Sequence, residues 1–128
     1  MATRSPLAKA RGLGAARSGV GHWTHQRLTA VSNLLLELWF VFSALALALA
    51  GAGYAEVRAW LASPLSASLM ILLVISTFYH ARLGVQVVIE DYVHHEGAKL
   101  ASLAALTLIV VALAVACIVA VLKVSIGS

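Results

Sequence analysis

Three long apolar runs separated by short polar stretches dominate this chain. They extend from about Val31 to Ala52, about Leu65 to Ile89, and about Leu100 to Val124. A helix needs about 20 mostly apolar residues, at about 1.5 Å of rise each, to cross a bilayer. Each run meets that length, so the pattern predicts an all-α membrane fold with three transmembrane helices. Gly51, Gly53 and Pro64 punctuate the first connection, as expected of residues that break helices. Between them, Tyr54 to Ala62 carries Glu56, Arg58 and Trp60 and reads as a short interfacial segment. The second connection, Glu90 to Lys99, is the most polar stretch of the chain. No internal repeat or low-complexity tract is evident.

Composition supports the same class. Of the 128 residues, 62% are hydrophobic and 11% charged, whereas soluble domains carry about 25% charged residues. The formal net charge is +4. Arg4, Lys9, Arg11, Arg17 and Arg27 all precede the first apolar run, and no acid appears before Glu37. A basic leader can bind nucleic acid, but basic residues flanking an apolar helix usually set its orientation. On that rule the N-terminus and the second loop, with Lys99, are cytoplasmic. Only Arg58 and Lys123 are left outside, and the C-terminus is periplasmic. The expected organisation is a cytoplasmic arm over residues 1–27 and a three-helix anchor domain over 28–128. Met1 to Gly21 has no continuous apolar core before a small-residue cleavage site, so it is not expected to be a secretory signal. It reads as a flexible or surface-lying arm, with the first membrane helix as an uncleaved insertion signal. Ala, Gly and Ser recur along all three spans and let helices approach closely, so a second membrane subunit is expected to complete the bundle.

Candidate chemistry is concentrated in Phe78 to Glu96, FYHARLGVQVVIEDYVHHE. His80 falls within the second span, near the expected middle of the bilayer. An ionisable residue at that depth is a functional candidate. At about 100° per residue, His80, Gly84, Val87 and Asp91 share one helix face. Gly84 would admit a flat macrocycle, and a neutral imidazole is a good axial ligand for iron. Val87 would help exclude water. Three readings of His80 stand open on spacing alone: a hydrogen bond to another helix, a metal or haem ligand, and a proton relay. Asp91 and Tyr92 follow where this helix meets water. Tyr92 offers a phenolic donor suited to a quinone carbonyl, and Asp91 a carboxylate suited to proton delivery. Equally, Tyr92 suits the aromatic belt and Asp91 a helix end.

Other polar groups are less specific. Arg82, Gln86 and Glu90 form a second stripe, for which a structural ion pair is the favoured reading. His22, Trp23, His25, Gln26 and Arg27 crowd the start of the first helix. Arg27 can hold a carboxylate bidentately, serve a lipid phosphate or set orientation. His94, His95 and Glu96 are adjacent in a loop and read as solvated. Glu37 is interfacial or paired with a basic group of another helix. Cys117 is the lone cysteine and reads as a packing residue. With no C-x-x-C-H, any haem would be held without covalent attachment. Gly12 and Gly14 do not make a dinucleotide motif, because Arg17 occupies the third glycine position. The chain has no nucleotide site and no nucleophile with its base, so alone it is non-catalytic.

The stretch HARLGVQVVIEDYVH, His80 to His94, closely resembles the signature of the hydrophobic membrane anchor of succinate dehydrogenase (respiratory complex II). That family shows a histidine, a glycine four residues on, and Asp-Tyr at eleven and twelve. GHWTHQRLTAVSN, Gly21 to Asn33, resembles the family's Arg-x-Thr-Ala start to the first helix. The resemblance implies that His80 is an axial ligand of the iron of a b-type haem, with the second ligand supplied by the partner anchor, the cytochrome b subunit. It implies that Arg27 lies near the haem propionates, with Gly84 in the pocket. Tyr92 would contact ubiquinone, with Asp91 beside it. It further implies docking of the iron–sulfur and flavoprotein subunits, a multi-pass location in the cell inner membrane, and contacts with membrane lipid but not nucleic acid. Two alternatives compete: a fumarate reductase anchor running in the opposite direction, and a cofactor-free membrane scaffold or assembly protein.

Overall fold

A computed structural model of the chain describes residues 16–127, with side chains from residue 19 onward. Four helices follow one another: α1 (Ala16–Leu49), α2 (Tyr54–Ala62), α3 (Pro64–Tyr92) and α4 (Glu96–Ile126). The portion of the expected N-terminal arm that carries Arg4, Lys9 and Arg11 lies outside the described residues, as does Ser128. Within the described residues α1 runs unbroken through residues 27 and 28, so the helix continues from residue 16 directly into the membrane span.

Local chemistry sets each helix end. Gly51 adopts φ +68°, a left-handed conformation open to a residue without a side chain. Its amide donates to the Ala48 carbonyl and the Ala52 amide to the Leu47 carbonyl, both at 3.0 Å. That pair of bonds closes the last turn of α1 and satisfies carbonyls that would otherwise be orphaned. At the start of α2, the Gly53 amide donates to Glu56 Oε2 at 2.8 Å. Ser63 caps α3 by accepting from the Ser66 amide at 3.2 Å. Pro64 follows at the first helical position, where its missing N–H is no loss. His95 caps α4, its Nδ1 accepting from the Ala98 amide at 3.3 Å. Glu96 in the first turn and Lys123 in the last complement the α4 dipole.

Three helices are long and apolar enough to cross a membrane: Gly19–Leu49, Pro64–Tyr92 and Glu96–Ile126. These are the three spans expected from the sequence, each carried further toward water by continued helical backbone. The packing is thin. α3 touches both α1 and α4, and α2 packs on α3 and α4. Trp60 of α2 also stacks on Trp39 of α1, with centroids 5.6 Å apart. Leu61 and Leu83 are the buried hydrophobic side chains of the described residues. Leu49, Leu100, Leu108 and Ile126 are all exposed. Water would not sustain so apolar a surface, whereas lipid and a neighbouring subunit would.

Candidate functional site

The antiparallel pairing of α1 and α3 brings together polar residues 51 to 54 positions apart in sequence. His80 is half-buried against α1, and its Nδ1 lies 3.0 Å from Thr29 Oγ1. The Thr29 hydroxyl proton is already committed, since Oγ1 donates to the His25 carbonyl at 2.7 Å and shares that proton with the Gln26 carbonyl at 3.1 Å. With that proton on the backbone, the hydroxyl accepts toward His80 and Nδ1–H is the donor. In that tautomer the Nε2 lone pair is left for a ligand. Only the Gln26 side-chain amide approaches Nε2, at 3.4 Å, a long contact for a hydrogen bond.

Gln26 stands between His80 and an open groove of about 600 Å³. Gly19, His22, Trp23 and Gln26 line one wall, and Gly84, Val87 and Glu90 line the other. A Cβ built at Gly84 would meet nothing nearer than Gln26 Nε2, at 3.8 Å, so the wall is bare backbone one turn from the imidazole. His22 Nε2 and Gln26 Oε1 are buried without a hydrogen-bond partner, which is unusual for buried polar atoms. Beyond them Arg27 lies over the Trp23 ring, its Cζ 5.0 Å from the centroid. The groove thus has Gln26 at its inner end with His80 Nε2 behind it, bare backbone along one wall, and a guanidinium beside one of its lining rings.

These features fit a flat metallomacrocycle. Among the described residues no three His, Cys, Asp or Glu side chains converge. His80 can thus give one bond to a metal that brings most of its own ligands.

Other candidates are placed elsewhere. Asp91 and Tyr92 are exposed, Tyr92 by 79%. They stand about 16–18 Å of helix rise beyond His80 and do not touch the histidine cluster. The favoured ion pair of the second stripe is replaced by two separate hydrogen bonds. Gln86 Nε2 donates to Glu90 Oε1 at 2.8 Å, and Arg82 turns to the opposite side of α3, its Nε donating to Thr107 Oγ1 of α4 at 3.2 Å. Two residues along a helix is about 200° of rotation, and this takes Arg82 away from the seam that holds His80. His94 contacts the Tyr92 carbonyl and His95 caps α4. His25 Nδ1 lies 2.7 Å from the Tyr79 hydroxyl.

The helix register also adjusts the depth of the site. His80 meets Thr29 and Gln26, where α1 passes from its polar start to its apolar run, and not halfway along that run. Thr29, Gln26 and the buried Asn33 were not singled out as site residues from sequence. Their signal is periodic: His22, Gln26, Thr29 and Asn33 recur every three or four residues, one polar edge on an otherwise apolar helix.

Long apolar helices, exposed leucines and a polar seam define a multi-pass helical membrane anchor. The chain belongs to the family of succinate dehydrogenase/fumarate reductase transmembrane subunits, whose model matches residues 1–121, and within it to the hydrophobic membrane anchor subunits of succinate dehydrogenase. The anchor subunit of Rickettsia bellii is 38% identical over 91 residues, 70% of each chain. That of Rickettsia conorii is 31% identical over 93 residues, 72% of each chain. That of Rickettsia felis is 34% identical over 86 residues, 66% of this chain and 69% of its own. No solved structure matches the chain.

Proposed function

We propose that this anchor holds a b-type haem through His80 Nε2 and contributes Tyr92 and Asp91 to a ubiquinone site, in the inner membrane with its N-terminus cytoplasmic. The observation that carries the haem reading is the Thr29–His80 hydrogen bond. A metal-bound histidine characteristically donates its other ring N–H to a fixed acceptor, which sets the ring's orientation and raises its basicity. Thr29, 3.0 Å from Nδ1, would be that acceptor here. To free Nε2 for the iron, the Gln26 amide would have to withdraw from it, and Gly84 would leave room for the macrocycle along α3. Arg27, and His22 through its unpartnered Nε2, would take propionate oxygens. Haem b supplies one-electron redox chemistry when bound. A further bond to the iron would be left to the partner anchor.

The quinone reading rests on residue chemistry where α3 meets water. Succinate oxidation to fumarate, in the flavoprotein and iron–sulfur subunits docked on the cytoplasmic side, releases two electrons and two protons, and a quinone takes up two of each to become the quinol. Tyr92 donates a hydrogen bond to a quinone carbonyl oxygen, and Asp91, open to water, passes protons toward it. The direction succinate to quinone is favoured over fumarate reduction because the relatives matched carry the succinate dehydrogenase name.

The deciding experiment is a reduced-minus-oxidised optical spectrum of the complex purified from membranes. Bands of a b-type haem are expected, and His80→Ala should weaken or abolish them with the complex still assembled. A wild-type spectrum without such bands, or one that His80→Ala leaves intact, would sink the haem assignment.

A further inference from the structure

Glu37 is the one acid of α1. It lies six residues past Val31, where the apolar run begins, and twelve before Leu49, about 9 Å and 18 Å of helix rise. A hydrocarbon core is about 30 Å thick, so this carboxyl group lies inside it, deeper than the short Glu side chain spans. It is exposed, and no group of the described residues donates a hydrogen bond to it. An ionisable group in that position has to face protein or a polar cavity. The described residues of this chain provide neither.

The face is identified by helix geometry. At about 100° per residue, Glu37 falls within about 20° of Gly19, Gln26 and Ala30. Gly19 and Gln26 line the groove. Ala44 and Ala48 continue the same edge toward the far end of α1. The edge that opens the groove at one end therefore presents the carboxyl group within the membrane, between Ala30 and the stretch at Ala44 and Ala48 that faces Val57 and Trp60 of α2.

We propose that this edge of α1 is covered by a transmembrane helix of a partner subunit that presents a cationic side chain to Glu37. Arginine fits best, because its planar fork holds a carboxylate with two bonds and keeps its charge in the membrane. The same helix closes the groove. This inference rests on the chain's working beside a second membrane subunit and not on haem being bound.

The test uses the affinity-tagged complex extracted from membranes in mild detergent, with the ratio of second membrane subunit to this chain measured by quantitative mass spectrometry. Glu37→Leu and Glu37→Gln should each lower that ratio by about threefold or more, the scale of one interhelical polar contact. Leu108→Ala, at an exposed α4 position, should leave it unchanged. Glu37→Leu makes α1 more apolar and so easier to insert, which separates partner loss from failed insertion. An unchanged or raised ratio for Glu37→Leu would overturn the proposal. So would modification of Glu37 in the intact wild-type complex by a lipid-soluble carbodiimide, which would mean that the group faces acyl chains. A Glu37-dependent ratio without b-type bands would count against the haem reading alone, and bands with an unchanged ratio against this contact alone.

Discussion

Thr29 Oγ1 lies 3.0 Å from His80 Nδ1 and 2.7 Å from the His25 carbonyl, so it accepts Nδ1–H when its own proton is on the α1 backbone. The consequence is a specific ordering of variants. Thr29→Val removes the acceptor while keeping the side-chain shape and should weaken haem retention by about 10- to 100-fold, the usual effect of losing a partner of a metal-bound histidine. Thr29→Ser restores the hydroxyl and should recover most of it. Haem titration of the purified complex, followed by its visible absorption, distinguishes the two. Equal behaviour of Val and Ser would mean that Thr29 only fills space.

Gly84 permits a second, cleaner separation of packing from ligand binding. Because a Cβ there meets only Gln26 Nε2, at 3.8 Å, Gly84→Ala should fold, and it replaces a poor helix former by a good one at a gain of up to about 1 kcal/mol. Protein yield and helix content should hold or rise. Haem occupancy should fall, and Gly84→Leu should lower it further by filling the groove wall. If Gly84→Leu kept full occupancy, the macrocycle would not lie on this face of α3.

Much of this was legible in the sequence because membrane helices are specified locally. Length and apolarity fix the spans, and Gly51, Ser63, Pro64 and His95 mark helix ends by backbone chemistry that needs no distant partner. The interval from His80 to Gly84 depends only on the helical period. What could not be read was which α1 residue meets His80. That depends on the relative register of two helices, which hydropathy leaves free, since sliding one apolar rod along another changes little energy in lipid. For the same reason the depth of His80 shifted toward the polar start of α1, and Arg82 turned to Thr107 instead of pairing within its own stripe.

Tyr92 is exposed and makes no side-chain bond among the described residues, so removing its hydroxyl should cost the fold within about 0.5 kcal/mol. Tyr92→Phe should therefore lower quinone reduction by the assembled complex while succinate oxidation by an artificial acceptor continues at the wild-type rate. The two assays run on one preparation. A parallel loss of both would indicate failed assembly, and no loss of either would remove Tyr92 from the quinone site.

The stack of Trp60 on Trp39, 5.6 Å between centroids and 24° between planes, leads to a prediction for the other end of the bundle. α2 has nine residues, too few to be stable as an isolated helix, so its order depends on what it docks against. Trp60 and the buried Leu61 supply that docking. An aromatic pair contributes about 0.5–1.5 kcal/mol beyond its buried area. Trp60→Ala should then speed amide hydrogen exchange across Tyr54–Ala62 by about two- to tenfold. Exchange at the α1–α3 seam should not change, because His80 contacts the opposite half of α1. Haem occupancy should stay at the wild-type level in the same sample. Faster exchange at both places would show that α2 braces the whole bundle, and unchanged exchange in α2 would show that Leu61 alone holds it.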